Sequence, residues 1–299
     1  MRKTPLLGAI AAVGALTLTA PQAMAAPNAA TPSHRTTGVI QHVRHGMGLN
    51  IALAESMKHR NTSSGRALAV HALDSSSVPS SYSLESYALT PGNQGQVGSC
   101  VTWATGYSGY GILMNEEGIS GAPMAPMYIY SQIVSDDDNG QDDGTTASIA
   151  LPMEQQQGID TQSDYTQGTT DYTDLPTQSE ITNAANYELS GFQDLTTSGD
   201  LQTNIESAIS QGEPVVIGFN ARSSFENLNS SDYNYDPSPS EAVIGGHEVT
   251  IVGYDQTGVT IENSWGTDWG DNGFFTAPWS FITGSDISEV HAMGALVQN

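Results

Sequence analysis

The apolar positions change their period along the chain, and that change separates helices from strands. Trp103, Tyr107, Tyr110 and Met114 recur at helical spacing, which predicts a helix over 100–117 with Gly118 as its stop. A second helix is expected over 145–157, ended by Gly158 and weakened or kinked by Pro152. Leu201, Ile205, Ala208 and Ile209 line one face of a third, closed by Gly212. After Pro214 the pattern shortens. Segments 215–219, 248–254, 259–262 and 274–275 read as strands, with Asp255-Gln256-Thr257-Gly258 as a hairpin turn. The stretch 160–180 is rich in Thr, Gln, Tyr and Asp and yields no element. Helices first and antiparallel strands later point to an α+β fold with two lobes.

The beginning of the chain reads differently. Arg2 and Lys3 precede an apolar run over 6–20, and Ala23-Met24-Ala25 has the small-x-small form of a cleavage site. Residues 1–25 are therefore expected to be a signal peptide, which implies export, to the extracellular space or periplasm. No later stretch has the length of a membrane span, so no membrane association is expected once the peptide is cut. Residues 26–35 have the composition of a flexible leader, 38–60 are basic and loosely helical, and 72–80 read as a linker. This gives a basic propeptide and linker over 26–77 and a compact domain over 78–299.

Charge follows the same division. Seven of the eight Lys and Arg residues lie at or before Arg66, and only Arg222 lies beyond it. Residues 67–299 hold 31 acids against that one Arg, a formal charge of −30. Such a domain is a poor partner for nucleic acid or an anionic membrane. Charged residues make up 13% of the chain against about 25% in an ordinary domain, so bases have been removed rather than acids added. A chain with one Arg stays near neutral when its carboxylates protonate, near pH 4, and escapes the cationic self-repulsion of acid unfolding. Acid tolerance is the expectation. The basic leader and acidic domain further suggest a zymogen, its cleft covered partly by charge attraction that weakens in acid.

Cys100 is the only cysteine. Exported proteins that use cysteine for stability carry bridged sets. A lone thiol is either an inert buried residue or one kept for its reactivity. Cys100 follows Gly98-Ser99 at the expected start of a helix, where partial positive charge favours thiolate and free N–H groups can hold an oxyanion. Two histidines lie in the domain. His247 follows Gly245-Gly246 and opens the expected strand 248–254, a rigid mount, whereas His291 is read as lying in a tail. A catalytic imidazole needs a third group to fix its orientation, and the next strand returns Asn263 toward His247.

These segments resemble the papain family of cysteine peptidases. Gln94-Gly95-Gln96-Val97-Gly98-Ser99-Cys100 is similar to its nucleophile motif and Gly246-His247 through Gly253-Tyr254 to its histidine motif. Glu262-Asn263-Ser264-Trp265-Gly266-Thr267-Asp268-Trp269-Gly270-Asp271-Asn272-Gly273 is similar to its asparagine motif. The order and spacing agree over about residues 78–280. The resemblance implies a two-lobed fold, with the cysteine on a helical lobe and the His and Asn on an antiparallel, barrel-like lobe. It also implies peptide-bond hydrolysis through a thioester. Cys100 would be the nucleophile, His247 its acid–base partner, Asn263 the orienting amide, and Gln94 an oxyanion donor beside the Cys100 N–H. Trp265 would cover the Asn263–His247 bond, Gly98 and Gly246 would border the substrate, and Gly144 would pair with substrate backbone. Glu248 would face the pocket for the second residue on the acyl side, where an acid favours basic groups.

The chain departs from the family pattern at Val101, where Trp is usual, and at Val97, where a half-cystine is common. Its leader lacks the long helical signature of the commonest family propeptides. No cofactor or metal is expected: Cys100 and His247 would leave a zinc site short of ligands, and Asp136-Asp137-Asp138-Asn139-Gly140 with Asp142-Asp143-Gly144 fits no calcium-loop register and reads as a solvated loop. The expected partners are protein or peptide substrates and the chain's own propeptide, acting on a monomer. The other readings of a Cys–His pair are a cell-wall amidase or transglutaminase-like enzyme and a non-catalytic peptide-binding relative.

Overall fold

The computed structural model describes residues 45–58, 78–136, 139–197 and 199–297, all within one unit, Val43–Asn299. The expected signal peptide and most of the basic leader lie outside the described residues.

The first described element is a short helix, α1 (Ile51–Met57), capped by Asn50. A two-residue strand follows, β1 (Tyr82–Ser83). The helix expected over 100–117 forms as three joined pieces: α2 (Cys100–Thr102), a π-helical segment (Trp103–Gly109) and α3 (Tyr110–Glu117). Gly118 ends it in the left-handed conformation, φ +68°. The π segment is packed closely on its glycine face, since a Cβ on Gly109 would lie 2.3 Å from Met293 Sδ. Next come α4 (Pro126–Asp136), α5 (Ala147–Gln157) and α6 (Gln178–Ala184). Thr146 caps α5, which runs through Pro152, and α6 starts with a Thr177–Glu180 capping box.

After β2 (Phe192–Asp194) and α7 (Leu201–Ser210), which Asp200 caps, the chain builds the sheet. Its strands are β3 (Val215–Arg222), β4 (Val243–Tyr254), β5 (Gly258–Glu262), β6 (Phe274–Pro278) and β7 (Ile287–Met293), with α8 (Trp279–Ile282) between the last two. The spatial order is β2-β7-β3-β4-β5-β6, with β1 also paired to β4, and every pairing is antiparallel.

Two cores meet across this sheet. Val215, Ile217, Phe219 and Ala221 of β3 alternate into an aromatic core with Val249, Ile251, Phe225, Tyr235, Trp265 and Phe275. Val216 faces the other way, into a helical core with Val101, Tyr110, Tyr128 and Leu151. The period of two therefore decides which lobe each side chain serves. The fold is papain-like α+β, with Cys100 in the helical core and His247 and Asn263 carried by the sheet. Arg222, alone beyond Arg66, grips Asp286 through Nε (2.6 Å) and a second guanidinium nitrogen (2.8 Å) and donates to the carbonyls of Pro239 and Glu241. One guanidinium thus ties the 223–242 loop to the start of β7.

Several expectations are corrected. Within 38–60 only Ile51–Met57 of the described residues is helical, and 45–50 runs extended ahead of it. The strand expected from residue 248 starts at Val243, so His247 lies inside it. His291 lies in β7, buried, 3.4 Å from Ser148 Oγ, rather than in a tail. Segment 160–180 supplies the start of α6.

Candidate active site

Cys100 is the first residue of α2 and is fully buried. Its Sγ accepts a hydrogen bond from Gly48 N at 3.1 Å, and the amides of Glu248, Leu49 and Val101 also face it. The helix start was expected to favour thiolate. Burial instead pushes the thiol up to about 11, against the pull of those amides. Gly48, hydrogen-bonded to the sulfur, is part of what buries it, together with the helical core around Cys100.

His247 is carried by β4, and no hydrogen bond joins it to Cys100 Sγ. Its Nε2 lies 2.7 Å from Asn263 Oδ1. An amide oxygen only accepts, so Nε2 carries the proton and Nδ1 keeps its lone pair. Nδ1 has no hydrogen-bond partner in this state. Burial lowers the imidazole to about 4, although the Asn263 bond raises it. Thiol and imidazole are therefore both neutral beneath the leader. Asn263 Oδ1 also accepts from Ser264 N at 2.8 Å, which holds the amide in one rotamer. Trp265 covers the pair, its ring 4.9 Å from the imidazole, with Phe219 and Phe225 on the remaining sides.

Gln94 is buried between the two motifs. Its Oε1 accepts from Ser264 Oγ at 2.6 Å and its Nε2 donates to Val97 O at 2.9 Å, leaving the amide a further N–H to give. Gly98 N donates to both carboxylate oxygens of Asp142, at 3.0 and 3.1 Å, and the Tyr130 hydroxyl donates to the same carboxylate. Asp142 thus anchors the nucleophile loop. Among the described residues no group of acids, His and Cys could hold a metal ion.

The leader segment 45–50 threads the cleft. His45 stacks on Trp265 at 4.5 Å and 12°. Gly46 N donates to Gly95 O, and Trp265 Nε1 donates to Gly46 O. Leu49 N donates to Gly246 O, Thr145 N to Gly48 O, and Asn50 N to Thr145 O. The residue that pairs with backbone is therefore Thr145; Gly144, at φ +75°, makes room, since a Cβ there would lie 2.1 Å from Gly48 O. Gly246 does the same for Leu49 O, at 2.2 Å. Sequence reasoning missed Thr145, Ser264, Asp142 and the leader glycines. Gly46 and Gly48, two helix breakers in a segment read as helical, were the available clue.

A thiol at a helix start, an imidazole on a strand and an amide fixing its tautomer define a cysteine hydrolase of the Cys–His–Asn class. The sequence pattern described as papain family cysteine protease matches residues 81–283, and the chain belongs to that family. It is 30% identical to cysteine proteinase 3 of Entamoeba histolytica over 61% of this chain and 57% of that one. It is 23% identical to an uncharacterized peptidase C1-like protein of Acanthamoeba polyphaga mimivirus over 67% and 68%. In three dimensions it is similar to xylellain, a cysteine protease from Xylella fastidiosa, with a TM-score of 0.64 at 19% identity over 75% of this chain and 88% of that chain. It is also similar to bromelain from Ananas comosus, with a TM-score of 0.53 at 20% identity over 73% and 100%.

Proposed function

We propose that this cysteine protease is a secreted endopeptidase, made as a zymogen and built to work in acid. The observation that carries the zymogen reading is the Gly48 N–H on Cys100 Sγ. An amide N–H of the segment is directed at the sulfur, so residues 45–50 occupy the place beside the nucleophile that a substrate would need. The segment enters beside Trp265 and leaves past Thr145, on both sides of Cys100. A segment that runs past the thiol in both directions suits cleavage within a chain.

With the leader gone, His247 Nδ1 can take the thiol proton and the ion pair can form. The thiolate adds to a peptide carbonyl, with Gln94 Nε2 and the Cys100 N–H facing the oxyanion. Imidazolium then gives its proton to the departing amine, and the C–N bond breaks to leave a thioester. Water deprotonated by His247 adds next, the C–S bond breaks, and the carboxylic product leaves.

Release in acid has two sources. The leader–domain charge attraction fades as carboxylates protonate. His45, stacked on Trp265, has its pKa lowered by burial, so the docked segment favours neutral His45 and docking weakens as pH falls. Maturation of the full chain is expected to be faster at about pH 3 than at pH 7 in low salt, as followed by gel, and slower in acid for His45→Phe. Equal rates at the two pH values would defeat the zymogen reading. Hydrolysis of casein but not of peptidoglycan separates a peptidase from a cell-wall amidase.

Buried carboxyls support the acid reading. Glu154 accepts from Thr105 Oγ1 at 2.5 Å and Glu262 from Ser108 Oγ at 2.8 Å, so both lobes are tied to the π segment. Burial pushes each carboxyl up to about 8. The folded protein holds them protonated, while the unfolded chain ionises them above about pH 4.5. Their contribution is complete below that value and is lost as pH rises toward 8, about 5 kcal/mol each as an upper figure. Thermal unfolding is expected to move to lower temperature from pH 4 to pH 8, with a smaller slope in Glu154→Gln. A maximum at neutrality with collapse below pH 4 would count against acid tolerance.

A further inference from the structure

The peptide unit that joins Val97 to Gly98 is held at both ends by side chains. Its carbonyl accepts from Gln94 Nε2 at 2.9 Å. Its N–H donates to both oxygens of Asp142, at 3.0 and 3.1 Å, across 44 residues of chain. Two peptides further on, the Ser99 carbonyl accepts from Trp103 N at 3.0 Å and from Thr102 Oγ1 at 3.1 Å. The planar Ser99–Cys100 amide then fixes where the Cys100 N–H points. Both groups that face the oxyanion therefore depend on this short stretch: Gln94 bonds its first peptide, and Cys100 N closes its last.

Asp142 is itself held. The hydroxyl of Tyr130, a buried residue of α4, donates to its Oδ1, and the Gly144 amide faces the same hydroxyl. Burial, and then Asp142, raises the Tyr130 pKa far above its ordinary value, so the hydroxyl stays a donor. The carboxylate comes this close because residue 98 is glycine. A Cβ there would lie 2.8 Å from Asp142 Oδ1 and 3.3 Å from the Tyr130 hydroxyl oxygen. Three residues beyond Asp142, Thr145 offers the backbone groups that hold Gly48 and Asn50. Asp142 thus joins the loop before the nucleophile to the wall that pairs with an extended chain. Val97 stands where a half-cystine is common, and the chain's one cysteine is free, so no disulfide ties the two together.

We propose that Asp142, oriented by Tyr130, is a positioning residue for peptide hydrolysis, a hydrogen-bonded brace in place of a disulfide at residue 97. This rests on the thioester mechanism above, with Gln94 Nε2 and the Cys100 N–H on the oxyanion. The amides facing Cys100 Sγ come from Gly48, Leu49, Glu248 and Val101. The brace therefore acts on the oxyanion donors and leaves the Cys100–His247 pair alone. Once it is cut, the Val97–Gly98 peptide is free to turn over, because glycine takes φ of either sign. Gln94 then loses the carbonyl that aims it. The donors lie wrongly for the transition state, while the bound substrate feels little.

In the self-processed enzyme, Asp142→Ala is expected to lower kcat on a peptide about thirtyfold and to change KM less than about threefold. Alkylation of Cys100 by iodoacetamide forms no oxyanion, so its rate should stay at that of the parent. A peptide aldehyde, whose adduct with the thiol does carry the oxyanion, should bind about thirtyfold more weakly. Asp142→Asn keeps an acceptor for Gly98 N and should recover most of kcat. If alkylation falls together with hydrolysis, Asp142 serves only the fold; if neither falls, it positions nothing. Either result overturns the proposal. Where Asp142→Ala does not fold, Tyr130→Phe must show the same split at smaller size, kcat lowered about fivefold with alkylation unchanged. One readout needs no catalysis. In the full chain, the Gly98 N–H should exchange with solvent about tenfold faster in Asp142→Ala while the Trp103 N–H keeps its parent rate. No change at Gly98 removes the brace and leaves the thioester reading intact, whereas hydrolysis that survives Cys100→Ala sinks that reading and leaves the exchange result standing.

Discussion

Cys100→Ala is expected to leave the chain folded and to lower peptide hydrolysis by about 10⁴-fold or more. The sulfur is the only thiol in the chain, so nothing else can form the thioester. The change removes one atom from a buried site that has no disulfide to lose, and the spectrum of the folded chain should barely change. His247→Ala should match it, because thiol and imidazole act as one unit and losing either removes the ion pair. Asn263→Ala should cost less, about a hundredfold, since it leaves the proton acceptor present but free to turn and to change tautomer. The ordering is the informative part. Initial rates on casein or a peptide, with covalent labelling by an epoxide thiol inhibitor, measure it. Labelling should vanish in Cys100→Ala and persist, slowed, in Asn263→Ala. Proteolysis unchanged by Cys100→Ala would remove the basis of the whole reading.

How far the site was legible in the chain follows from the kind of signal each residue leaves. Cys100, His247, Asn263 and Gln94 sit in motifs whose glycines and aromatics are themselves needed for the geometry, so their neighbourhoods marked them as candidates. The strand β7 left no such mark. In it Glu289 and His291 alternate with Val290 and Ala292, and both sets are buried. A strand buried on both faces with polar residues on one of them looks like an exposed tail. The helix α4 was missed for the opposite reason: Met127, Tyr128, Ile129, Tyr130, Ile133 and Val134 are all buried, so no polar face remained to reveal a period. Thr145 was displaced by one residue from the expected Gly144, because glycine marks where the backbone must come close and not which amide does the bonding. The thiol's own state could not be read from its helix start, since part of what buries it is a segment about fifty residues away.

That segment carries the second large effect. Gly48→Ala is expected to expel residues 45–50 from beside Cys100 and to make the full-length chain more reactive at neutral pH. A Cβ at Gly48 would stand 1.7 Å from Gly98 O and 2.0 Å from its carbonyl carbon, both backbone atoms of the loop that positions Cys100. That loop has little room to give, because Gly98 N is held by Asp142. The segment must therefore leave, and with it go the Gly48–Cys100 and Thr145–Gly48 bonds. Water then reaches a thiol that burial had pushed up to about 11 from an ordinary 9, a change of about a hundredfold in thiolate fraction at neutral pH even before His247 contributes. The epoxide labelling rate of the full-length chain at pH 7 should rise by about that factor or more. Gly199→Ala, at an open position where an added Cβ meets nothing within 4 Å, should label at the parent rate. Comparing Gly48→Ala with Gly48→Ala/His247→Ala then divides the gain: the part that survives without His247 comes from exposure alone, and the part that disappears comes from the ion pair that the leader had kept from forming.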